Sequence, residues 1–151
     1  MNAKAVNMIR QKICSKRGIS AIETICIAVF AIIAAATIIL SLLHYRDSMR
    51  TGSDNHLVLT AERAAMLNMA GSDCIVKDCN GKESCTHIKD GLSTGYFDHR
   101  SNSIVGELPK GYNESTVMTI REKQYEGKKG AMVIKVQYDG SQITLSWVKG
   151  K

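Results

Sequence analysis

A single acidic residue at the head of a long apolar stretch is the side chain best placed for specific chemistry. Glu23 is followed by twenty residues, from Thr24 to Leu43, that carry no charge. A carboxylate at the edge of a membrane costs on the order of a few kcal/mol unless a partner is supplied. A nearby cation would offset the lost hydration and keep the acid ionised. We therefore expect Glu23 to have a specific partner.

Three cysteines form the second group with chemical potential. Cys74, Cys79 and Cys85 lie within twelve residues of one another. Outside the cytosol such a cluster favours disulfide bonding, and the odd number leaves three possible pairings. With His87 the spacing is Cys-x4-Cys-x5-Cys-x-His, which offers a zinc site as the alternative, although these spacings are not those of a usual zinc finger. A disulfide is expected, contributing at most about 2–3 kcal/mol to the stability of a small domain.

Catalytic sites are not indicated by the sequence. His87, Asp98 and His99 could be combined with Ser93 or Ser101 into a hydrolase triad, but such residues often occur together in loops by chance. A nucleophile-elbow pattern and a glycine-rich phosphate-binding motif are both missing from the sequence. We therefore expect no enzymatic activity and no cofactor.

The apolar stretch predicts a membrane-spanning helix that positions Glu23. Twenty helical residues cover about 30 Å, which matches the hydrocarbon core of a bilayer. Small and apolar residues recur at helical spacing beyond the stretch, at Leu57, Ala61, Ala64 and Ala65. The pattern predicts one helix from Ile19 to Met69, with a possible kink or break near Gly52 and a terminating residue at Gly71.

Strand patterns begin after Ser72. Cys74–Val76 is a short strand candidate, and 94–98 with 103–105 predict a strand pair around a turn at 100–102. Residues 109–111, which contain the only proline, predict a turn, and 116–120 predict a further strand.

The last part of the chain predicts a β-hairpin. Residues 131–138 and 142–148 alternate around Asp139-Gly140, a pair that favours a tight mirror-image turn. One face is predicted to comprise Val133, Ile143, Leu145 and Trp147, and the solvent face Lys135, Gln137, Thr144 and Ser146. The predicted fold class is α+β: a long N-terminal helix followed by a small antiparallel sheet.

The net charge of +6 is a topology signal rather than a nucleic-acid signal. Five cations and no acid lie in the first eighteen residues, which leaves 15 Lys and Arg against 14 Asp and Glu, a formal charge of +1, in the rest of the chain. Basic residues flanking an apolar helix stay in the cytoplasm, so the C-terminus is expected outside. Because the few aromatic residues are scattered, we expect no nucleic-acid partner.

The sequence Lys-Arg-Gly-Ile-Ser-Ala-Ile-Glu at 16–23 resembles the class III signal of type IV prepilins, pseudopilins and Tad-type pilins. The resemblance implies that a prepilin peptidase cuts after Gly18, on the cytoplasmic side, and that Ile19 becomes the new N-terminus, which the same enzyme also methylates. Glu23 would be the fifth mature residue and would set register during assembly. A pilin-like fold, a homo-oligomeric or mixed filament, and a pilus or type II secretion assembly platform are the further implications.

The expected organisation has three parts. Residues 1–18 form the leader, 19–70 the long helix with its membrane segment at about 24–43, and 71–151 an extracytoplasmic β-rich domain. Such a subunit would be a single-pass protein of a bacterial cell membrane and then part of a surface filament.

Four other interpretations stay open at this point. The first is an ordinary membrane anchor with an incidental acid. The second is a secretory signal cut after Ala34–Ala36, which would leave Thr37 as the first residue. The third is an unassembled, membrane-tethered binding module. The fourth is a membrane-bound enzyme, for which the sequence offers no site.

Overall fold

The computed structural model describes residues 21–70, 74–79 and 86–151. Over these residues the chain has an α+β fold, as predicted, with helix α1 at Ala21–Met69 and a 3-10 helix at Lys77–Cys79. The strands are β1 Ile88–Lys89, β2 Leu92–Asp98, β3 Ser103–Val105, β4 Val117–Ile120, β5 Lys123–Glu126, β6 Met132–Tyr138 and β7 Ile143–Lys149. The described residues up to Leu43 form one compact unit, and His44–Lys151 form a second.

Helix α1 ends at Met69, as predicted, while Gly71 and the predicted start at Ile19 lie outside the described residues. The helix passes through Gly52 without interruption, so the possible break there does not occur. One glycine inside a helix costs only about 1 kcal/mol relative to alanine, which the neighbouring turns can offset.

The main sheet has the order β1-β2-β6-β7, and β3 pairs with the far end of β2. All of its pairs are antiparallel, and β4 and β5 form a separate two-stranded sheet. The register places Val136 opposite Leu145 and Ile134 opposite Trp147, so these four side chains share a face. That face is buried together with Phe97 and forms most of the core.

The predicted strand pair around residues 100–102 is confirmed as β2 and β3, and the predicted strand at 116–120 is confirmed as β4. The strand candidate at 74–76 was wrong, because these residues are buried irregular backbone leading into the 3-10 helix. The turn predicted at 109–111 was also wrong: these residues form an irregular connection. Strands β1 and β5 were not predicted, since neither shows an apolar alternation.

The C-terminal hairpin is confirmed, but its turn is longer than predicted. Tyr138 pairs with Ile143, which leaves a four-residue connection in which only Gly140 has a positive φ, of 91°. Asp139 Oδ1 stabilises this connection by accepting hydrogen bonds from the amides of Ser141 and Gln142, both at 2.9 Å. A two-residue mirror-image turn requires positive φ at both central residues. The longer connection needs it at one residue only, because the Asp139 side chain stabilises the backbone by hydrogen bonds.

Val133 was assigned to the wrong face. It is paired with Val148, one residue out of phase with the Ile134–Trp147 pair, and therefore lies on the side opposite Leu145 and Trp147. Its side chain is nevertheless fully buried. Local alternation could not show this, because both faces of the sheet are covered at that end.

A buried carboxylate joins helix α1 to a distant loop. Asp54 is 2% exposed and accepts hydrogen bonds from the amides of Glu114 at 2.9 Å and Ser115 at 3.0 Å. The Ser115 hydroxyl donates to the same carboxylate. Three donors of the loop thus converge on one buried side chain, so Asp54 is a firm attachment point between helix and loop.

Asn113 continues this attachment into the main sheet. Its Oδ1 accepts from the amides of Ala131 at 3.0 Å and Met132 at 2.8 Å, and its Nδ2 donates to the carbonyl of Ser115. Helix, loop and the start of β6 are therefore linked through two neighbouring polar contacts. We call Asp54 and residues 113–115 the polar junction.

Replacing Asp54 with alanine should destabilise the second unit by about 3 kcal/mol, because the half-buried amides of Glu114 and Ser115 and the Ser115 hydroxyl all lose their acceptor. Urea unfolding of the intact chain in micelles, followed by the fluorescence of Trp147, measures this loss. The matched control is Asp47→Ala, which removes an exposed carboxylate 3.6 Å from Arg50 in the same helix. The control should change stability by less than about 0.5 kcal/mol; equal effects would contradict the role given to the polar junction.

The hairpin turn should also make stability depend on acid pH. Hydrogen bonds from the amides of Gln142 and Ser141 and from the Ser141 hydroxyl lower the pKa of Asp139 from its ordinary 3.8 to about 2. A lowered pKa in the folded state means that the stabilisation is complete above pH 3.8 and is lost as the pH falls towards 2.

Asp139→Asn keeps an acceptor oxygen in the turn but removes the titration. Between pH 4 and pH 2 its urea midpoint should therefore fall less than that of the unchanged chain. Parallel curves for the two proteins would show that Asp139 is not the group responsible.

Candidate functional site

The apolar side chains of the first compact unit are exposed in every direction around helix α1. Three consecutive residues, Ile38, Ile39 and Leu40, are each more than half exposed, although they point to different sides of the helix. By length and composition the helix includes a segment able to cross a membrane. The chain thus has one candidate membrane-spanning helix near its N-terminus, consistent with a single-pass membrane protein.

Glu23 lies in the first turn of helix α1 as the structure describes it. The predicted cleavage residues Gly18 and Ile19 lie outside the described residues. A carboxylate in the first turn of a helix is favoured by the partial positive charge of the helix N-terminus. The acid thus lies at the end of the described helix where the apolar segment begins.

The predicted disulfide cysteines are bonded where the structure describes them. Cys74 and Cys79 both take part in disulfides and both are buried, while Cys85 lies outside the described residues. A disulfide sulfur offers no thiolate to a metal, so the zinc alternative does not apply to this pair. Cys26 in the apolar segment is a free thiol.

The cysteine segment is fastened to both helix and sheet. Asn68 on helix α1 donates to the carbonyl of Ile75 at 2.6 Å, and the amide of Ile75 donates to the Ser93 hydroxyl at 3.2 Å. Ile75 and Val76 are fully buried. The disulfides therefore hold a segment that has side chains in the core but no strand hydrogen bonds of its own.

The residues considered for a triad come together only in part. His87, Asp98 and His99 line one cleft of about 620 Å³ with Arg100 and Lys110. Ser93, by contrast, is buried beside the cysteine segment.

The serine nearest to this cleft is not arranged as a nucleophile. The Ser101 hydroxyl donates to Asp98 Oδ2 at 2.8 Å rather than to an imidazole. Asp98 Oδ1 in turn lies 4.0 Å from His99 Nδ1. Burial acts to raise the pKa of Asp98, but the hydrogen bonds from Ser101 and from the Arg100 amide outweigh it and lower the pKa. The contacts describe a structured turn.

An aromatic cluster lies beside His99, which is one of the residues that line this cleft. The rings of His99 and Tyr112 lie 4.5 Å apart between centroids, and the Tyr112 hydroxyl accepts from the amide of Ile134 at 3.2 Å. Burial raises the pKa of Tyr112, so this phenol stays neutral. Tyr112 also contacts Trp147 and Phe97, so it belongs to the framework of the core.

The sequence interpretation did not anticipate the polar junction. Asp54 precedes Ala61 by seven residues, two turns of helix, and this spacing places an acid on the buried face. That signal was available in the sequence. The partner loop, about sixty residues further along, gives no comparable local signal.

No family model, no curated protein and no solved structure matches this chain. The proposed function therefore depends on the sequence and on the geometry of the described residues.

Proposed function

We propose that this chain is a structural subunit of a type IV pilus-like or type II secretion pseudopilus filament, cut after Gly18 by a prepilin peptidase and assembled through the apolar part of helix α1. The observation that carries the proposal is a single acid, Glu23, at the start of a helical segment whose apolar side chains are exposed on every side. An ordinary anchor needs the apolar segment but has no need of the acid.

The exposed segment must be covered by something other than water. Burial of apolar surface is favourable by a free energy of roughly 25 cal/mol per Å². This segment presents large aliphatic side chains over about five helical turns. A bilayer covers it before assembly, and a bundle of the same helices covers it afterwards. Transfer between these two environments never exposes the segment to water, so assembly from the membrane is energetically feasible.

Glu23 fixes the axial register between the helices of neighbouring subunits, which apolar packing alone leaves undefined. Aliphatic surfaces pack in many alternative ways, whereas a buried carboxylate is costly unless a counter-charge lies beside it. Cleavage after Gly18 would give Ile19 a free α-amino group, a cation at the same end of the helix. An acid in one subunit and an amine in its neighbour then select one axial offset between helices.

The remaining partners follow from the same proposal. The leader and the membrane segment orient the N-terminus to the cytoplasm and residues 44–151 to the outside. The prepilin peptidase, which also methylates Ile19, and a pilus or secretion assembly platform are the proteins that act on the chain. Its place is the bacterial cell membrane and then a filament at the cell surface.

A second candidate function is an unassembled, membrane-tethered binding module. The observation that favours it is the cleft lined by His87, His99 and Arg100, whose side chains offer both donors and a cation. In that case Glu23 has no function and the apolar segment is only an anchor.

The mass of the intact purified protein separates these possibilities. We expect a chain that starts at Ile19, with one added methyl group where the peptidase has methylated it. A chain that keeps residues 1–18, or one that starts at Thr37, would contradict the prepilin interpretation.

Replacing Glu23 with alanine should abolish filament formation while leaving membrane insertion unchanged, because the buried counter-charge is lost and the apolar segment is kept. Sheared filaments are measured by electron microscopy and the membrane-bound chain by fractionation. Glu62→Gln, a neutralised acid in the outer part of the same helix, is the matched control and should still assemble. Normal filaments from the Glu23→Ala variant would refute the proposed register.

A further inference from the structure

The outer part of helix α1, within the second compact unit, carries a row of exposed apolar side chains. The exposed large apolar residues of this part are Tyr45, Met49, Leu59, Met66 and Leu67, at 54–75% exposure. We call these five residues the outer stripe. Exposed apolar side chains that line up on one surface mark a contact site, whereas isolated ones do not.

The outer stripe lies on the side of the helix opposite its own core. Leu59 and Ala61 are two residues apart, which is about 200° around a helix. Ala61 and Ala65 are fully buried and Asp54 nearly so, which fixes the direction of the sheet. The chain therefore covers one side of this helix itself and leaves on the other side the five exposed apolar residues of the outer stripe.

Four of the five stripe residues fit the seven-residue repeat of a coiled coil, in which steps of four and three residues alternate along 45, 49, 52, 56, 59, 63 and 66. The other three positions are Gly52, His56 and Arg63, and Leu67 lies beside the repeat. Open space surrounds the position that a Cβ of Gly52 would occupy, so another helix can approach closely there. A repeat of this kind fits a copy of itself, because the same positions face one another across a two-fold axis.

Lipid cannot cover most of the stripe. Leu59 and Met66 are 14 and 21 residues beyond Tyr45, about 21 Å and 32 Å along the helix. With Tyr45 in the headgroup region, as its aromatic ring favours, these residues lie well outside the hydrocarbon layer. An apolar environment for this part of the stripe therefore has to come from protein rather than from lipid.

We propose that the outer stripe pairs with the same stripe of a second copy of this chain, forming a parallel two-stranded seam along residues 45–67. The pairing is parallel because every copy enters the membrane by the same end. Confinement to one membrane raises the effective concentration of the stripes, so a modest contact area is sufficient. This pairing requires the membrane anchor, but neither removal of the leader nor Glu23.

The polar members of the repeat limit the strength of the seam. His56 and Arg63 occupy two of its inward positions, and an Arg63 pair brings like charges together. Glu62 lies beside Arg63, but its carboxylate is already 3.8 Å from Arg121 of the same chain. The seam therefore forms reversibly, as a precursor that can rearrange needs to do.

Cysteine cross-linking of the full-length chain in native membranes tests the pairing. Leu59→Cys is introduced into a chain carrying Cys14→Ser and Cys26→Ala, and that background alone reports any linkage through the remaining cysteines. Ser53→Cys is the matched control, because Ser53 is exposed on the same helix about 120° from Leu59. Mild oxidation should give at least about fivefold more disulfide-linked dimer for Leu59→Cys than for Ser53→Cys.

Two further variants give the experiment a decisive outcome. Met66→Lys places a charge in the seam and should reduce the Leu59→Cys dimer by about threefold or more, with unfolding of the second unit unchanged. Glu23→Ala should leave the dimer intact even where filaments fail. Equal linkage at residues 53 and 59, no linkage, or loss of the Leu59→Cys dimer on Glu23→Ala would overturn the proposal.

Discussion

The structure depends on one constraint: exposure of the apolar side chains of residues 21–43 to water is energetically unfavourable. Their side chains are apolar on every face of helix α1, and no part of the described chain buries them. A soluble protein hides such a helix in its own core, whereas this chain builds its core from other residues. The small second unit must therefore be stable without help from the most hydrophobic part of the sequence.

Polar contacts and disulfides offset the limited size of that core. The polar junction attaches helix α1 to the loop at 113–115 through Asp54, and Asn68 attaches the helix to the cysteine segment. Both attachments lie on the face that carries Ala61 and Ala65, whose small side chains permit close approach of the helix to the core. Burial of a few apolar residues is thus combined with specific hydrogen bonds that allow only one position of the helix on the sheet.

Local signals in the sequence predicted the elements that local interactions form. The end of helix α1 at Met69, the β2–β3 pair and the β6–β7 hairpin each follow from periodicity or turn residues within a short window. Strand β5 was missed because Lys-Gln-Tyr-Glu shows no apolar alternation, and its pairing with β4 depends on a two-residue turn at Arg121-Glu122. Residues 74–76 were misassigned because apolar β-branched residues are also suitable for buried irregular backbone that disulfides hold in place.

The same distinction between local and long-range signals applies to the candidate site. Glu23 and the apolar segment can be identified from the sequence because each is defined by its neighbours in the chain. The polar junction could not be identified as a whole, since Asp54 and its partner loop are about sixty residues apart. His87, Asp98 and His99 could be grouped from the sequence, but the cleft that they share with Lys110 depends on the fold.

The outer half of helix α1 shows how the two kinds of information combine. Seven-residue spacing alone is compatible with a helix that packs on its own sheet through that row. Only the burial of Asp54, Ala61 and Ala65 shows that the sheet occupies the opposite face. The helix therefore has three surfaces with different requirements: an apolar segment that needs lipid or other helices, a face that its own domain covers, and an exposed stripe. A chain that needed only an anchor would meet the first requirement with residues 21–43 and would gain nothing from an apolar stripe beyond the membrane.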